Sequence, residues 1–211
     1  MDIIDLSHIM TPDMPVYPGK GQPVIQPAAR IETDGYREMS LHLDGHTGTH
    51  MDSPAHMLVN GKMLNDFPVS QFSGKAAVIP IPETVSKIDL KFLAPFEPEI
   101  RDASFVLFNT GWSKYWGSDH YFRDFPVLTE EAAKWLVTFR LKGIGLDAIS
   151  VDPVESATYT IHHILFRHDM VIVENLVFPE NFSSREGIFH GFPLSFRDGD
   201  GSPVRAVLEI Q

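Results

Sequence analysis

The chain reads as a mixed α/β (α+β) fold in a single domain spanning residues 1–211. Three observations predict it. Short apolar runs rich in β-branched residues recur along the chain, only one long stretch carries a clear helical period, and no linker, repeat or low-complexity tract divides it. The length, 211 residues, suits one domain with a sizeable core.

In chain order, Ile3 to His8 reads as a short first strand. From Met10 to Pro27 five prolines (12, 15, 18, 23, 27) forbid a helix and favour an extended arm. Its Met14, Val16 and Tyr17 need cover, from their own domain, a neighbouring subunit or a substrate pocket. Tyr36 to Leu43 alternates as a strand, with Met39, Leu41 and Leu43 on one face. Gly61 to Phe67 reads as a loop, followed by a turn through Val69 and Phe72. Ala76 to Ile81 and Phe105 to Asn109 suit buried strands, with irregular chain from Leu90 to Pro98 between them. Thr129 to Lys142 is the clearest helix. Thr129 caps it, Glu130 and Glu131 sit at the positive end of its dipole, and Gly143 stops it. Ile144 to Val151 is then a strand, His162 to Arg167 one or two helical turns, and Val171 to Val173 and Val204 to Ile210 the last strands.

The net charge of −11 offers no basic surface, which argues against nucleic acid or an anionic membrane as partner. With no cysteine, disulfides and thiolate metal sites are excluded, and any metal must be held by His, Asp or Glu. The N-terminus shows no basic region followed by an apolar core, and no stretch approaches ~20 apolar residues. The expectation is a cytoplasmic protein.

The chemistry concentrates in residues 42–56, which hold four of the ten histidines: His42, His46, His50 and His56, with Asp44 and Asp52 among them. On a straight strand His46 and Asp52 would stand ~20 Å apart at 3.3 Å per residue, too far to share an ion. The chain must bend, and Gly45, Gly48 and Pro54 are where it can. A turn between His46 and His50 then gathers both imidazoles, and Asp52 adds a terminal or bridging carboxylate. Three N/O ligands with open positions suit a catalytic, hydrolytic site. His56 is left over, able to shuttle a proton as general acid and base. Scattered surface or core histidines are the plain alternative for any one of these alone. His42 and Asp44 read as strand residues or outer partners.

A second constellation spans residues 161–176. Glu174 ends an apolar strand, where a lone carboxylate is costly to bury. If a short helix folds back on that strand, His162 or His163 could join Glu174 in a second metal sphere sharing Asp52. Otherwise Glu174 is a salt-bridge acid and the histidines cap a helix.

These residues resemble the cyclase family of metal-dependent hydrolases, which includes the bacterial kynurenine formamidases (arylformamidases) and isatin hydrolase. The family motif His-x-Gly-Thr-His-x-Asp-x-Pro-x-His is matched at His46, Gly48, Thr49, His50, Asp52, Pro54 and His56. Likeness extends to Asp5-Leu6-Ser7-His8, Pro15-Val16-Tyr17-Pro18-Gly19, Thr110-Gly111-Trp112, residues 145–152, Glu174-Asn175-Leu176 and residues 200–206. The resemblance implies a barrel-like mixed sheet flanked by a few helices, and a homodimer or homotetramer. It implies one or two divalent ions, zinc or manganese. His46, His50 and Asp52 would hold one, and Asp52, His162 and Glu174 the other, His162 being favoured by spacing. His56 would be the acid/base. The implied substrate is a small, aromatic amide, with N-formylkynurenine the first candidate and tryptophan catabolism the setting. Tyr17 and Trp112 are candidates to stack on it. One departure bears on substrate: formamidases tend to carry Trp-Pro-Gly-Asp in the opening arm, whereas here it is Tyr17-Pro18-Gly19-Lys20. Hydrolysis of another cyclic amide or ester, Lewis-acid cyclase or dehydratase chemistry, and a non-catalytic metal-binding module are the competing readings.

Overall fold

The computed structural model describes residues 1–210; Gln211, the last residue of the expected domain, lies outside them. Among the described residues the strands are β1 (Asp2–Asp5), β2 (Val24–Ala29), β3 (Glu38–His42), β4 (His50–Asp52), β5 (Ser73–Pro80), β6 (Lys87–Ile88), β7 (Phe105–Asn109), β8 (Val127–Leu128), β9 (Gly143–Leu146), β10 (Val171–Glu174), β11 (Glu186–His190), β12 (Gly201–Pro203) and β13 (Val207–Ile210). The α-helices are α1 (Ile31–Asp34), α2 (Leu90–Leu93), α3 (Glu97–Arg101), α4 (Glu130–Leu136) and α5 (Thr160–Phe166). The fold is mixed α/β: a nine-stranded sheet curled into a half-barrel, in the order β1-β13-β11-β5-β7-β9-β10-β4-β12, with few helices. No described helix is long and apolar enough to cross a membrane.

The centre of the sheet is parallel, β5-β7-β9-β10, and both its faces are covered. Alternation along β7 shows how. Phe105 and Leu107 enter one apolar core with Met51, Val171, Val173 and Phe189, while Val106 and Phe108 enter the other with α4 and α5. This parity decides where the polar residues go. Met51 of β4 and Val173 of β10 are register partners in the first core. Their neighbours His50, Asp52 and Glu174 therefore project on the opposite face, the one covered by α5.

Several expectations shift by physical causes that are visible in the chain. Thr129 does cap α4, its side chain accepting from Ala132 N–H at 3.2 Å. The helix ends at Leu136 and not at Lys142; the chain leaves it through a turn in which the Thr138 N–H and hydroxyl both donate to the Trp135 carbonyl, at 3.0 and 2.7 Å. Gly143 opens β9 instead of serving as a helix stop. Residues 90–98, expected irregular, contain α2 and the start of α3. Asp89 caps α2, and Pro98 falls in the first turn of α3, where no amide hydrogen is needed. The proline arm gives way to β2 at Val24, with Pro27 inside the strand beside a register shift. The expected strands at 144–151 and 204–210 are shorter, and β11, β4 and β12 come from stretches where no strand was expected.

Candidate metal centre

The bend in the histidine segment is local. Gly45 and His46 form a turn, and Gly48 adopts φ +67°, a conformation that glycine reaches without strain. His50–Asp52 then runs as β4 beside β10 and β12, and Pro54–His56 closes with a single 3-10 turn. His46 and His56 are thereby brought to one side of β4, with ring centroids 3.9 Å apart.

Asp52 lies at the middle. Its Oδ1 is 2.6 Å from His46 Nδ1 and 3.2 Å from His50 Nε2, and its Oδ2 is 3.9 Å from His162 Nε2. Glu174 meets the same group from β10: Oε2 is 3.6 Å from His50 Nε2, and Oε1 is 3.4 Å from His162 Nε2. Of the two adjacent histidines, His162 is the one that faces Glu174. Two sets of donors lie close enough to hold one ion each, His46/Asp52/His56 and His50/Asp52/Glu174. Asp52 is common to both. His56 stands within ligand reach beside His46, and His50 reaches Glu174 as well as Asp52.

The outward nitrogen of each inner histidine is held by an oxygen. His50 Nδ1 lies 2.8 Å from the Gly48 carbonyl, His162 Nδ1 lies 2.7 Å from Asp152 Oδ2, and His46 Nε2 lies 3.1 Å from Asp200 Oδ2. An acceptor on one ring nitrogen keeps the proton there and leaves the other nitrogen's lone pair for a metal. The other ring nitrogens face carboxylates: His46 Nδ1 meets Asp52, and His50 Nε2 and His162 Nε2 meet both Asp52 and Glu174. An all-N/O donor set whose imidazoles are held from outside fits a divalent metal ion.

The electrostatics follow from packing four imidazoles among buried carboxylates. Burial works against charge on both sides. The His50 and His46 rings nevertheless hold the Asp52 carboxyl well below its usual range. Burial alone would lower His46, but Asp52 and Asp200 push it up to about 9; likewise Asp152 and Glu174 bring His162 to about 10. His56 goes the other way: burial holds it below an ordinary imidazole, so it is neutral at neutral pH.

The centre opens into a cavity of about 690 Å³. The proline arm forms one wall through Val16, Tyr17, Lys20 and Gly21, and Tyr159, Ile149 and Met57 supply apolar surface. Tyr17 donates to the Val154 carbonyl at 3.3 Å. Tyr159, at φ +45° just before α5, is strained for a non-glycine residue. His163 also reaches the wall. Trp112, expected beside the substrate, is not on it: its ring packs against Tyr115 and His120, and its Nε1–H donates to the Tyr121 carbonyl. These contacts hold Trp112 half-buried against the edge of the core. Asp152, Asp200 and Tyr159 went unassigned in the sequence. Asp152 and Asp200 stand in stretches that resemble the family, and acidic residues there were the available signal.

The family model named Cyclase matches residues 4–153. A kynurenine formamidase of Erythrobacter litoralis is 30% identical over 207 residues, covering 98% of this chain and 93% of its own. This chain belongs to the cyclase family. The fold agrees. A crystal structure of an isatin hydrolase bound to the product analogue thioisatinate superposes with a TM-score of 0.88 at 20% identity, over 98% of this chain and 91% of that one. A structure described as a potential metal-dependent hydrolase with cyclase activity superposes with a TM-score of 0.81 at 25% identity, over 98% and 96%.

Proposed function

We propose that residues 1–211 form one hydrolase domain that uses divalent metal to cleave a C–N amide bond in a small aromatic molecule, N-formylkynurenine being the best single reading. The observation that carries this is the set of three tethered histidines whose other ring nitrogens converge on Asp52, with those of His50 and His162 also meeting Glu174. Full-length similarity to a kynurenine formamidase supports the same chemistry.

In this reading His46, His50, Asp52, His162 and Glu174 hold one or two ions, zinc or manganese, with Asp52 shared. A divalent ion held by these residues would supply Lewis-acid polarisation of the amide carbonyl and activation of water. His56, neutral at rest, takes the proton from water and returns it to the leaving amine. The Asp200 carboxylate, 3.6 Å from His56 Nδ1, stabilises the imidazolium in between. Tyr17, Tyr159, Met57 and Ile149 enclose the aromatic part. Lys20 is the one lysine or arginine on a wall that otherwise carries Asp44, Asp52, Glu174 and Asp200, so it suits an anionic substituent.

The chain would act as a homodimer or homotetramer in the cytoplasm, within tryptophan catabolism. The β2–β3 hairpin supports association, since Val24, Ile31, Tyr36, Met39 and Leu41 are exposed on it. The test is an assay of zinc- or manganese-loaded protein against N-formylkynurenine, isatin and formanilide. Release of formate from N-formylkynurenine is expected. Hydrolysis of isatin alone would reassign the substrate, and activity on none would remove the hydrolase reading.

A further inference from the structure

Two buried residues away from the cavity wall bear on one of the proposed ligands. Tyr121 is fully buried, and its hydroxyl donates to Asn175 Oδ1 at 2.7 Å. At its other end the amide meets the Gly48 carbonyl at 2.8 Å; a carbonyl only accepts, so that end is Nδ2 and the end toward Tyr121 is oxygen. The same carbonyl lies 2.8 Å from His50 Nδ1. A carbonyl oxygen only accepts, so Nδ1 carries a proton, and Nε2, which faces Asp52 and Glu174, is the nitrogen left to a metal. Asn175 Nδ2 is also 3.4 Å from His50 Nδ1, too long to compete with the shorter carbonyl contact.

The backbone locks this arrangement. Asn175 takes φ +58°, a left-handed conformation that asparagine tolerates better than most residues. Its N–H donates to the Ala148 carbonyl at 3.0 Å, and its own carbonyl accepts from Thr49 Oγ1 at 2.6 Å. The end of β10 and the Gly48 bend are thus tied together within a buried network.

We propose that Tyr121 and Asn175 are positioning residues, which aim the Gly48 carbonyl at His50 and so hold Nε2 ready as a metal donor. The proposal rests on the reading of His50 as a metal ligand. Outer partners of metal-bound histidines are worth roughly 10- to 100-fold in affinity. Asn175→Asp keeps the acceptor for Tyr121 but sets an anion against the Gly48 carbonyl. Tyr121→Phe keeps the packing and removes only the hydroxyl.

The experiment measures zinc affinity of the full chain by competition with a chromophoric chelator, with thermal melts of the metal-free proteins alongside. In parallel, NMR of ¹⁵N-histidine-labelled, zinc-loaded protein reads the slowly exchanging Nδ1 proton of His50. Asn175→Asp is expected to weaken zinc about tenfold or more and to lose that proton signal. Tyr121→Phe is expected to weaken zinc by about threefold or more and to speed the exchange, while remaining folded. Affinity within twofold of wild type in folded Tyr121→Phe, with the His50 signal unchanged, would overturn the proposal, even if Asn175→Asp fails to fold. Wild-type protein that takes up zinc but hydrolyses no amide would sink the hydrolase reading and leave this proposal to the affinities. Wild-type protein that takes up no zinc would overturn both.

Discussion

His50 and Glu174 are register partners across the antiparallel strands β4 and β10, and His50 Nε2 lies 3.6 Å from Glu174 Oε2. The pairing joins a segment dense in histidine to a strand end far away in sequence. It also sets the face: with Met51 and Val173 in the apolar core, His50, Asp52 and Glu174 share the other side.

Removing one member of that pair should therefore remove metal. Glu174→Gln keeps the shape and one acceptor but loses the charge that draws a cation. Metal content after dialysis, read by elemental analysis, should fall clearly below wild type. Full metal content in the variant would show that Glu174 is a structural acid.

His56 should separate binding from turnover. His56→Ala leaves His46, His50, Asp52, His162 and Glu174 in place, so metal content should stay near wild type. Its kcat on the best amide should fall by roughly 10²- to 10⁴-fold, the usual worth of a general acid/base. Loss of metal along with activity would mean that His56 is a ligand, as its closeness to His46 and Asp52 allows.

The proportion of this that the sequence revealed differs by element. The metal-motif residues were visible because His46, His50, Asp52 and His56 lie within one short stretch, and Gly48 announced the bend. The choice between His162 and His163 was not visible from the residues alone, since it depends on how α5 sits on β10. Trp112 was singled out because a strand end points toward a cleft in general; in the structure it lies off this cavity's wall, where the indole meets Tyr115, His120 and a backbone carbonyl. Strands β4, β11 and β12 escaped because their partners are distant in sequence and their own residues are polar, short or glycine-bearing. Asp200 joined the site through β12, whose Gly201 is the register partner of Asp52; a Cβ at Gly201 would lie 2.3 Å from the His46 ring.

Acid and base should act on the metal-free protein in a defined direction. Burial opposes protonation, but the surrounding carboxylates bring His46 to about 9 and His162 to about 10, against 6.5 for an ordinary imidazole. The folded state thus keeps protons that the unfolded chain has released. The stability this gives is complete below pH 6.5 and is lost as pH rises through 9 to 10. Melting temperature of the metal-free protein should fall between pH 7 and pH 10. Zinc competes for the same nitrogens, so its affinity should climb over that range, and calorimetry should detect protons released at pH 7. Affinity that stays flat from pH 6 to pH 9 would contradict the assignment of these two histidines as ligands.

Lys20 should tune substrate choice without touching the chemistry. It is exposed at the cavity wall, beside a turn closed by its N–H to the Tyr17 carbonyl at 3.0 Å. Lys20→Glu should lower kcat/KM for 4-formamidobenzoate relative to formanilide by about fivefold, the scale of one exposed ion pair. An unchanged ratio would show that the anionic group does not meet Lys20.

The central claim is that these histidines and carboxylates hold the metal that makes the chain a hydrolase. Its most direct test is to strip the protein with a chelator, reload it stepwise with zinc or manganese, and follow N-formylkynurenine hydrolysis against bound metal. Turnover is expected to be negligible in the stripped protein and to rise with metal, saturating at one or two ions per chain. Undiminished turnover after stripping, or saturation with metal but no hydrolysis of any amide tested, would contradict that claim.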